Sequence, residues 1–294
     1  MPEVKEFVTS QKPTWCPGCG NFGMWEALKR ALAQLGWEKH EFSVFWGIGC
    51  HGNGADFLDV QGMHALHGRS LPPATALALT RPDLHVIVEM GDGDGYGLGM
   101  GHFVHTARRN VNMTVLAHNN QIYGLTTGQA SPTTDQFMRT VSTPDGVLET
   151  PVNPIGLALA EGATFIARGF AGDIPHLTDL YVQALTHKGF ALVDVFQPCV
   201  TWNKLNTFSW FRERVYKLEE QSWDESDRVA AFELSMTAFH ELTCKPDECK
   251  VPIGVYYRET DKPTYSDGVK AASEPGFRRA ERPRDIGELI AKMI

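Results

Sequence analysis

The segment Gly91-Asp92-Gly93-Asp94, answered by Asn119-Asn120 at the end of a second apolar run, constrains this chain more than any other feature. Before it, Leu84-His85-Val86-Ile87-Val88-Glu89-Met90 reads as a buried strand. After it come a glycine-rich turn and a helix-like stretch from Gly101 to Arg109. Met113 to Ala117 reads as another strand and runs into Asn119-Asn120-Gln121-Ile122-Tyr123-Gly124. A carboxylate thus ends one strand and two amides end another. In a parallel sheet those ends share one edge, where ligands bind. Glycines let the backbone approach a diphosphate, and a helix N-terminus favours its charge. Carboxylate, amide and carbonyl oxygens suit Mg²⁺, a hard ion. Gly-Asp-Gly by itself also fits an ordinary strand–turn–helix in a doubly wound fold.

The cysteines narrow the choice. There are six: Cys16, Cys19, Cys50, Cys199, Cys244 and Cys249. Cys16-Pro-Gly-Cys19 can present two thiolates to one metal centre. Cys50 ends the run Phe42 to Trp46 with its Gly-Ile-Gly tail, and Cys199 ends the run Phe190 to Phe196. Both fall at strand ends, on the edge expected for Asp92. Spacing alone allows structural zinc, a disulfide pair or an iron–sulfur cluster. No signal peptide is recognised before the first cysteine, which disfavours disulfides and leads us to expect a reducing cytoplasm. Cys244 and Cys249 have no matching second pair and read as plain thiols.

Composition excludes several classes. At 294 residues the chain can bury a large core. Its net charge of −8 argues against general nucleic-acid binding. No apolar run approaches the about 20 residues of a membrane span.

With these motifs in view, the Gly-Asp-Gly and Asn-Asn pair resembles the diphosphate-binding motif of thiamine-diphosphate (ThDP) enzymes, with Asp92 and Asn120 lying 28 positions apart. The whole set resembles the β subunits of 2-oxoacid:ferredoxin oxidoreductases, the 2-oxoglutarate type in particular. It comprises Trp15-Cys-Pro-Gly-Cys19-Gly20, Gly47-Ile-Gly-Cys50, His67-Gly-Arg69, Gly91-Asp-Gly-Asp94 with Gly101-His102-Phe103, Asn119-Asn-Gln-Ile-Tyr-Gly124-Leu-Thr-Thr-Gly-Gln129, and Gln197-Pro-Cys199. The resemblance implies a [4Fe–4S] cluster on Cys16, Cys19, Cys50 and Cys199. It implies Mg²⁺ on Asp92, Asn120 and the carbonyl of Ile122. It surrounds ThDP with Ile48, Gly49, Cys50, His51, His67, Gly93, Asp94, Gly124 and Leu125. His67, Arg69 and Thr127 are its candidates for catalytic and substrate contacts. The implied reaction is oxidative decarboxylation of 2-oxoglutarate with coenzyme A, reversible as reductive carboxylation, with electrons leaving through the cluster to ferredoxin. Relatives accepting several oxoacids often carry lysine at the place of Thr127, and pyruvate-specific ones asparagine at Leu125; neither is found here. The glutamate that activates ThDP comes, in this family, from an α subunit, so half an active site is expected. A self-sufficient ThDP decarboxylase is usually longer and needs no four-cysteine set. A zinc scaffold would leave Asp92 and the asparagine pair unexplained.

The expected fold is α/β, a doubly wound and mostly parallel sheet of the ThDP-binding type with a C-terminal extension. Residues 1–200 form the ThDP/Mg-binding domain with an N-terminal cluster-binding arm, and 201–294 the extension. Asn21 to Leu35 reads as an amphipathic helix. The stretch Ala130 to Pro154 is loop-rich, a length often used for function or a partner. Beyond Cys199, Asn203 to Glu220 and Asp227 to Leu242 read as helices, Val251 to Arg258 as a strand, and a short helix is expected near Ile286. The pairs His64/His67 and His102/His105 are poor zinc candidates beside softer thiolates. Arg278, Arg279, Arg282 and Arg284 form a candidate basic patch for an acidic ferredoxin, with Arg212 and Arg214 as alternates.

Overall fold

Side-chain alternation decides the layers. Val86, Val88 and Met90 face one hydrophobic cluster, while Ile87 between them faces a second; a strand sends successive side chains to opposite sides. Apolar residues on both faces make a strand that must be covered twice, as parallel sheets are.

The computed structural model describes residues 2–237 and 249–269. The strands are β1 (Phe42–Trp46), β2 (Gly62–His64), β3 (His85–Gly91), β4 (Met113–Asn119), β5 (Phe165–Phe170), β6 (Phe190–Phe196), β7 (Val215–Lys217) and β8 (Val251–Arg258). They form one sheet in the order β2-β1-β3-β4-β6-β5-β8-β7. Every pair from β2 to β5 in that order is parallel, and β8 joins β5 antiparallel. The architecture is therefore the mostly parallel α/β sheet expected from the sequence. The chain after residue 200 adds β7 and β8 to this same sheet.

The helices are α1 (Asn21–Leu35), α2 (Gly54–Phe57), α3 (Leu71–Thr80), α4 (Met100–Arg108), α5 (Pro154–Ala160), α6 (Ile174–Thr186), α7 (Phe208–Arg214), α8 (Arg228–Thr237) and α9 (Tyr265–Gly268). Met24, Ala27 and Leu28 of α1 pack with Leu177, Leu180 and Tyr181 of α6 on one face. Leu71 of α3, Phe103 of α4, Ile155 of α5 and Ala231 of α8 cover the other. Local chemistry sets the ends. Gly36 caps α1 at φ 70° with its N–H on the Leu32 and Ala33 carbonyls. Asp173 caps α6 by accepting from the His176 N–H. None of the helices among the described residues is long and apolar enough to cross a membrane.

Two expectations are corrected. Asn203 to Glu220 is not one helix: only Phe208–Arg214 is α-helical, followed by β7 and a short 3₁₀ turn. The Asn203 side chain accepts from the Leu205 and Asn206 N–H groups and offers its own amide to the Asn120 carbonyl. Such side-chain bonds to nearby backbone compete with helix formation, so the helix starts only at the Thr207 cap. Cys249 is disulfide-bonded rather than a plain thiol. Cys244, the helix near Ile286 and the four tail arginines lie outside the described residues.

Candidate active site

Four adjacent parallel strands deliver the candidate residues to one edge. Cys50 lies just beyond β1, Asp92 beyond β3, Asn120 beyond β4 and Cys199 beyond β6. Asp92 leads into a π-helical turn, Gly93–Leu98, that precedes α4; such turns are frequent at functional sites. A side chain at Gly93 would run into the Tyr123 ring, whose hydroxyl donates to the Gly93 carbonyl at 3.1 Å. Glycine at 93 is therefore what lets the Tyr123 ring pack directly against this turn. Beside the turn lies a cleft of about 430 Å³, a figure that includes its mouth open to solvent.

Asp92 is buried, and its Oδ2 accepts from Ser131 Oγ at 2.6 Å and Thr133 Oγ1 at 2.7 Å. Burial pushes its carboxyl up to about 6, against the two hydroxyls. A buried carboxylate raised in this way gains from a cation. The asparagine pair divides its work. Asn119 turns inward and donates to Asp194 at 3.2 and 3.3 Å. Asp194 is wholly buried with Arg168, whose Nε lies 3.3 Å away, and also accepts from the Tyr96 hydroxyl at 3.0 Å. Burial raises the Asp194 carboxyl, and the Arg168 charge opposes it. Asn120 instead lines the cleft, with its Oδ1 accepting from the Ile122 N–H at 3.0 Å. The turn between them bends through Gln121 at φ 60°, held by its side chain on the Thr133 carbonyl and Asp135. Among the described residues the Ile122 carbonyl accepts no hydrogen bond. Asp92, Asn120 and this free carbonyl form an all-oxygen donor set that fits Mg²⁺.

Ile48, Gly49, Cys50, His51 and His67 line the same cleft, as do Gly93, Asp94, Gly124 and Leu125. Asp94 Oδ1 accepts from Gly68 N at 2.6 Å, His67 Nδ1 at 2.9 Å and Ile48 N at 3.1 Å. That assigns the His67 proton to Nδ1 and leaves Nε2 available. The Gly91 N–H donates to His51 Nε2 at 3.1 Å, and burial, with other histidines nearby, holds this ring well below its usual pKa. Arg69 and Thr127 do not line the cleft. Both are exposed, and Arg69 Nη1 is engaged by the Gly68 and Leu98 carbonyls.

The four cysteines expected to act together are all free thiols. Trp15, packed edge-on against Phe22 and Phe57, donates to the Cys50 carbonyl at 2.6 Å and ties the N-terminal arm to the sheet edge. Cys50 and Cys199 sulfurs would each lie 3.6 Å from a Cβ placed on Gly124. Burial, then the neighbouring sulfurs, pushes Cys19 up to about 12 and Cys50 to about 11. Thiols packed together resist joint ionisation without a cation among them, so the set fits a cationic iron centre. Among the described residues no three His, Cys, Asp or Glu side chains form the cage of a single ion; a four-iron cluster, taking one thiolate per iron, is a wider object.

Sequence reasoning misses Ser131, Thr133, Asp194 and Arg168 as parts of this site, and it gives Asn119 and Gln197, both inside its motifs, no separate role. The hydroxyl-rich Ser131-Pro-Thr-Thr134 inside the long loop is the one available signal.

Residues 47–195 match the family described as thiamine pyrophosphate enzyme, C-terminal TPP binding domain. Residues 199–274 match the family described as the C-terminal region of the pyruvate ferredoxin oxidoreductase beta chain. The chain is 44% identical over 270 residues to a 2-oxoacid:ferredoxin oxidoreductase subunit beta from a Sulfolobus species, covering 90% of this chain and 88% of that one. It is 43% identical over 199 residues to 2-oxoglutarate oxidoreductase subunit KorB of Mycobacterium tuberculosis, covering 68% and 53%. Among solved structures, a 2-oxoglutarate:ferredoxin oxidoreductase from Magnetococcus marinus with 2-oxoglutarate, coenzyme A and succinyl-CoA bound superposes with a TM-score of 0.85 at 39% identity, covering 99% of this chain and 95% of that one. Sheet order, site geometry and these similarities agree: the chain belongs to the β subunits of the 2-oxoacid:ferredoxin oxidoreductases.

Proposed function

We propose that this chain is the ThDP-binding β subunit of a 2-oxoglutarate:ferredoxin oxidoreductase, carrying Mg²⁺ and one [4Fe–4S] cluster. The observation that carries the reading is convergence. An oxygen donor set and four free thiols gather at one sheet edge, with the Cys50 and Cys199 sulfurs beside Gly124 of the cleft lining. Asp92, Asn120 and the Ile122 carbonyl would hold the metal, and Cys16, Cys19, Cys50 and Cys199 the cluster. When bound, ThDP supplies the electron sink for decarboxylating a 2-oxoacid. Asp94 fixes His67 with Nε2 free for a polar contact in the cleft. The buried, neutral His51 closes the floor without adding charge.

The acids lining the cleft are Asp92 and Asp94, with no glutamate among the described lining residues. An α subunit would supply the activating carboxylate and the other wall. The loop from Ala130 to Pro154 exposes Phe137, Val141 and Leu148, side chains suited to such a partner. For ferredoxin, the tail arginines remain our expected patch; of the alternates, Arg214 is buried against Trp210, which leaves exposed Arg212. The four free thiols suit a reducing cytoplasm, whereas the disulfide at Cys249 is uncommon there.

The choice of 2-oxoglutarate rests on Leu125 and Thr127 and on likeness to proteins named for that substrate. Exposed Arg69 is the candidate partner for its second carboxylate. A broader 2-oxoacid range is the second reading, favoured by the Sulfolobus relative's name. The test is anaerobic co-expression with an α subunit, followed by kcat/KM across oxoacids. 2-Oxoglutarate should win; pyruvate or a branched-chain oxoacid winning by a large factor overturns the substrate assignment. Full turnover by the single chain overturns the half-site reading.

A further inference from the structure

One buried side chain touches both halves of the site. Gln197 is 1% exposed. Its Oε1 accepts from Asn120 Nδ2 at 3.1 Å, and its Nε2 donates to Cys19 Sγ at 3.3 Å and to the Pro198 carbonyl at 3.3 Å. The Pro198 carbonyl fixes which end of the amide points where, because it can only accept. Asn120 is fixed in the same manner: its Nδ2 is taken by Gln197, so its Oδ1, beside the Ile122 N–H, is the end presented to the cleft. The backbone at Gly20 makes room for this arrangement, since a Cβ there would come within 2.9 Å of Gln197 Cγ.

We propose that Gln197 is a positioning residue with two separable roles: it orients Asn120 toward the metal, and it tunes the redox centre through an N–H···S bond to Cys19. The proposal rests on the Mg²⁺ and cluster reading above. The first role follows from hydrogen-bond inventory. Without an acceptor at Nδ2, only the Ile122 N–H on Oδ1 is left to tell the two ends of the Asn120 amide apart, and a flipped amide presents a donor to the cation. The second follows from charge. An N–H aimed at a ligating sulfur offsets negative charge on the cluster, favours the reduced state and raises the potential. One amide serves both because its two ends differ.

Two substitutions separate the roles. In Gln197→Glu, at a pH high enough to ionise the buried carboxyl, the group still accepts from Asn120 but has no proton for Cys19. In Gln197→Leu both bonds are lost at similar volume. The experiment uses the anaerobic αβ holoenzyme, with iron content as a check on folding. Mg²⁺ affinity is measured by calorimetry in the presence of ThDP, and the cluster midpoint potential by an EPR-monitored redox titration. Gln197→Leu should bind Mg²⁺ about 10–100-fold more weakly, the usual range for removing a group that orients a metal ligand, and should titrate at a more negative potential. Gln197→Glu should keep near-wild-type Mg²⁺ affinity and shift the potential alone. An unchanged potential and affinity in Gln197→Leu would overturn the proposal. So would equal loss of metal affinity in both variants, the mark of a merely structural role. Wild-type holoenzyme without iron or Mg²⁺-dependent ThDP binding would instead sink the function proposed above.

Discussion

Replacing Gly47 by alanine tests whether the Asp94 cradle is as tight as its geometry implies. Gly47 follows β1, and its N–H donates to the Glu89 carbonyl at 3.0 Å. Its φ is ordinary, so alanine costs nothing in backbone conformation. The added Cβ would overlap Asp94 Oδ2 and sit 2.7 Å from Oδ1. Asp94 cannot simply retreat, because Oδ1 holds Gly68, His67 and Ile48 together. Moving it breaks at least one hydrogen bond to a charged group, about 1.5–3 kcal/mol, and strands a buried donor at about 1–3 kcal/mol more. The sum, about 2.5–6 kcal/mol, is a large share of the about 5–15 kcal/mol that holds a domain folded. At about 2 °C per kcal/mol for a chain of this size, the expected fall in Tm is about 5–12 °C. Gly101 in α4 is the control: an added Cβ meets nothing within 4 Å, and alanine in a helix should gain about 0.5–1 kcal/mol. Scanning calorimetry on both variants gives Tm, and equilibrium dialysis gives ThDP affinity, which Gly47→Ala should weaken by displacing His67. If Gly47→Ala melts like Gly101→Ala and binds ThDP normally, the tight-cradle reasoning is refuted.

A Cys199→Ser variant should lose iron and the thiolate-to-iron absorbance at about 400 nm, while Cys249→Ser leaves both unchanged; iron retained in the first and lost in the second would reverse our ligand assignment. His187, on Thr164 at 2.8 Å, is held at about 4 by burial and then by the Arg258 charge, below its usual 6.5. Its folded pKa is depressed, so the unfolded chain binds the proton first on acidification. The contribution to stability should be complete above pH 6.5 and fall progressively toward pH 4. NMR should find the ring neutral at pH 5.5, and a charged ring there would contradict its placement.

Much of the site is legible in the sequence because it depends on short-range rules. Each of Cys50, Asp92, Asn120 and Cys199 follows an apolar run of strand length, and strand length plus parallel pairing is enough to gather them on one edge. Glycine spacing marks the backbone approach for the same reason, since it is read within a few residues. The helical pattern from Asn203 to Glu220 misleads because the Asn203 side chain takes the Leu205 and Asn206 N–H groups, in competition with a helix. Tertiary structure alone decided which asparagine of the pair faces inward, because Asn119 is chosen by Asp194, 75 positions away. It decided that Ser131 and Thr133 of a loop would grip Asp92. It also kept Arg69 and Thr127 off the cleft lining, although both neighbour residues close to it in sequence. Gln197 shows the difference most plainly. Its two distant partners lie 77 and 178 positions away, and only the closing of β6 against β4 and the docking of the N-terminal arm bring them within hydrogen-bond reach. Periodicity reports which face a residue shares; a hydrogen bond between distant segments depends on where the packed layers finally place its atoms.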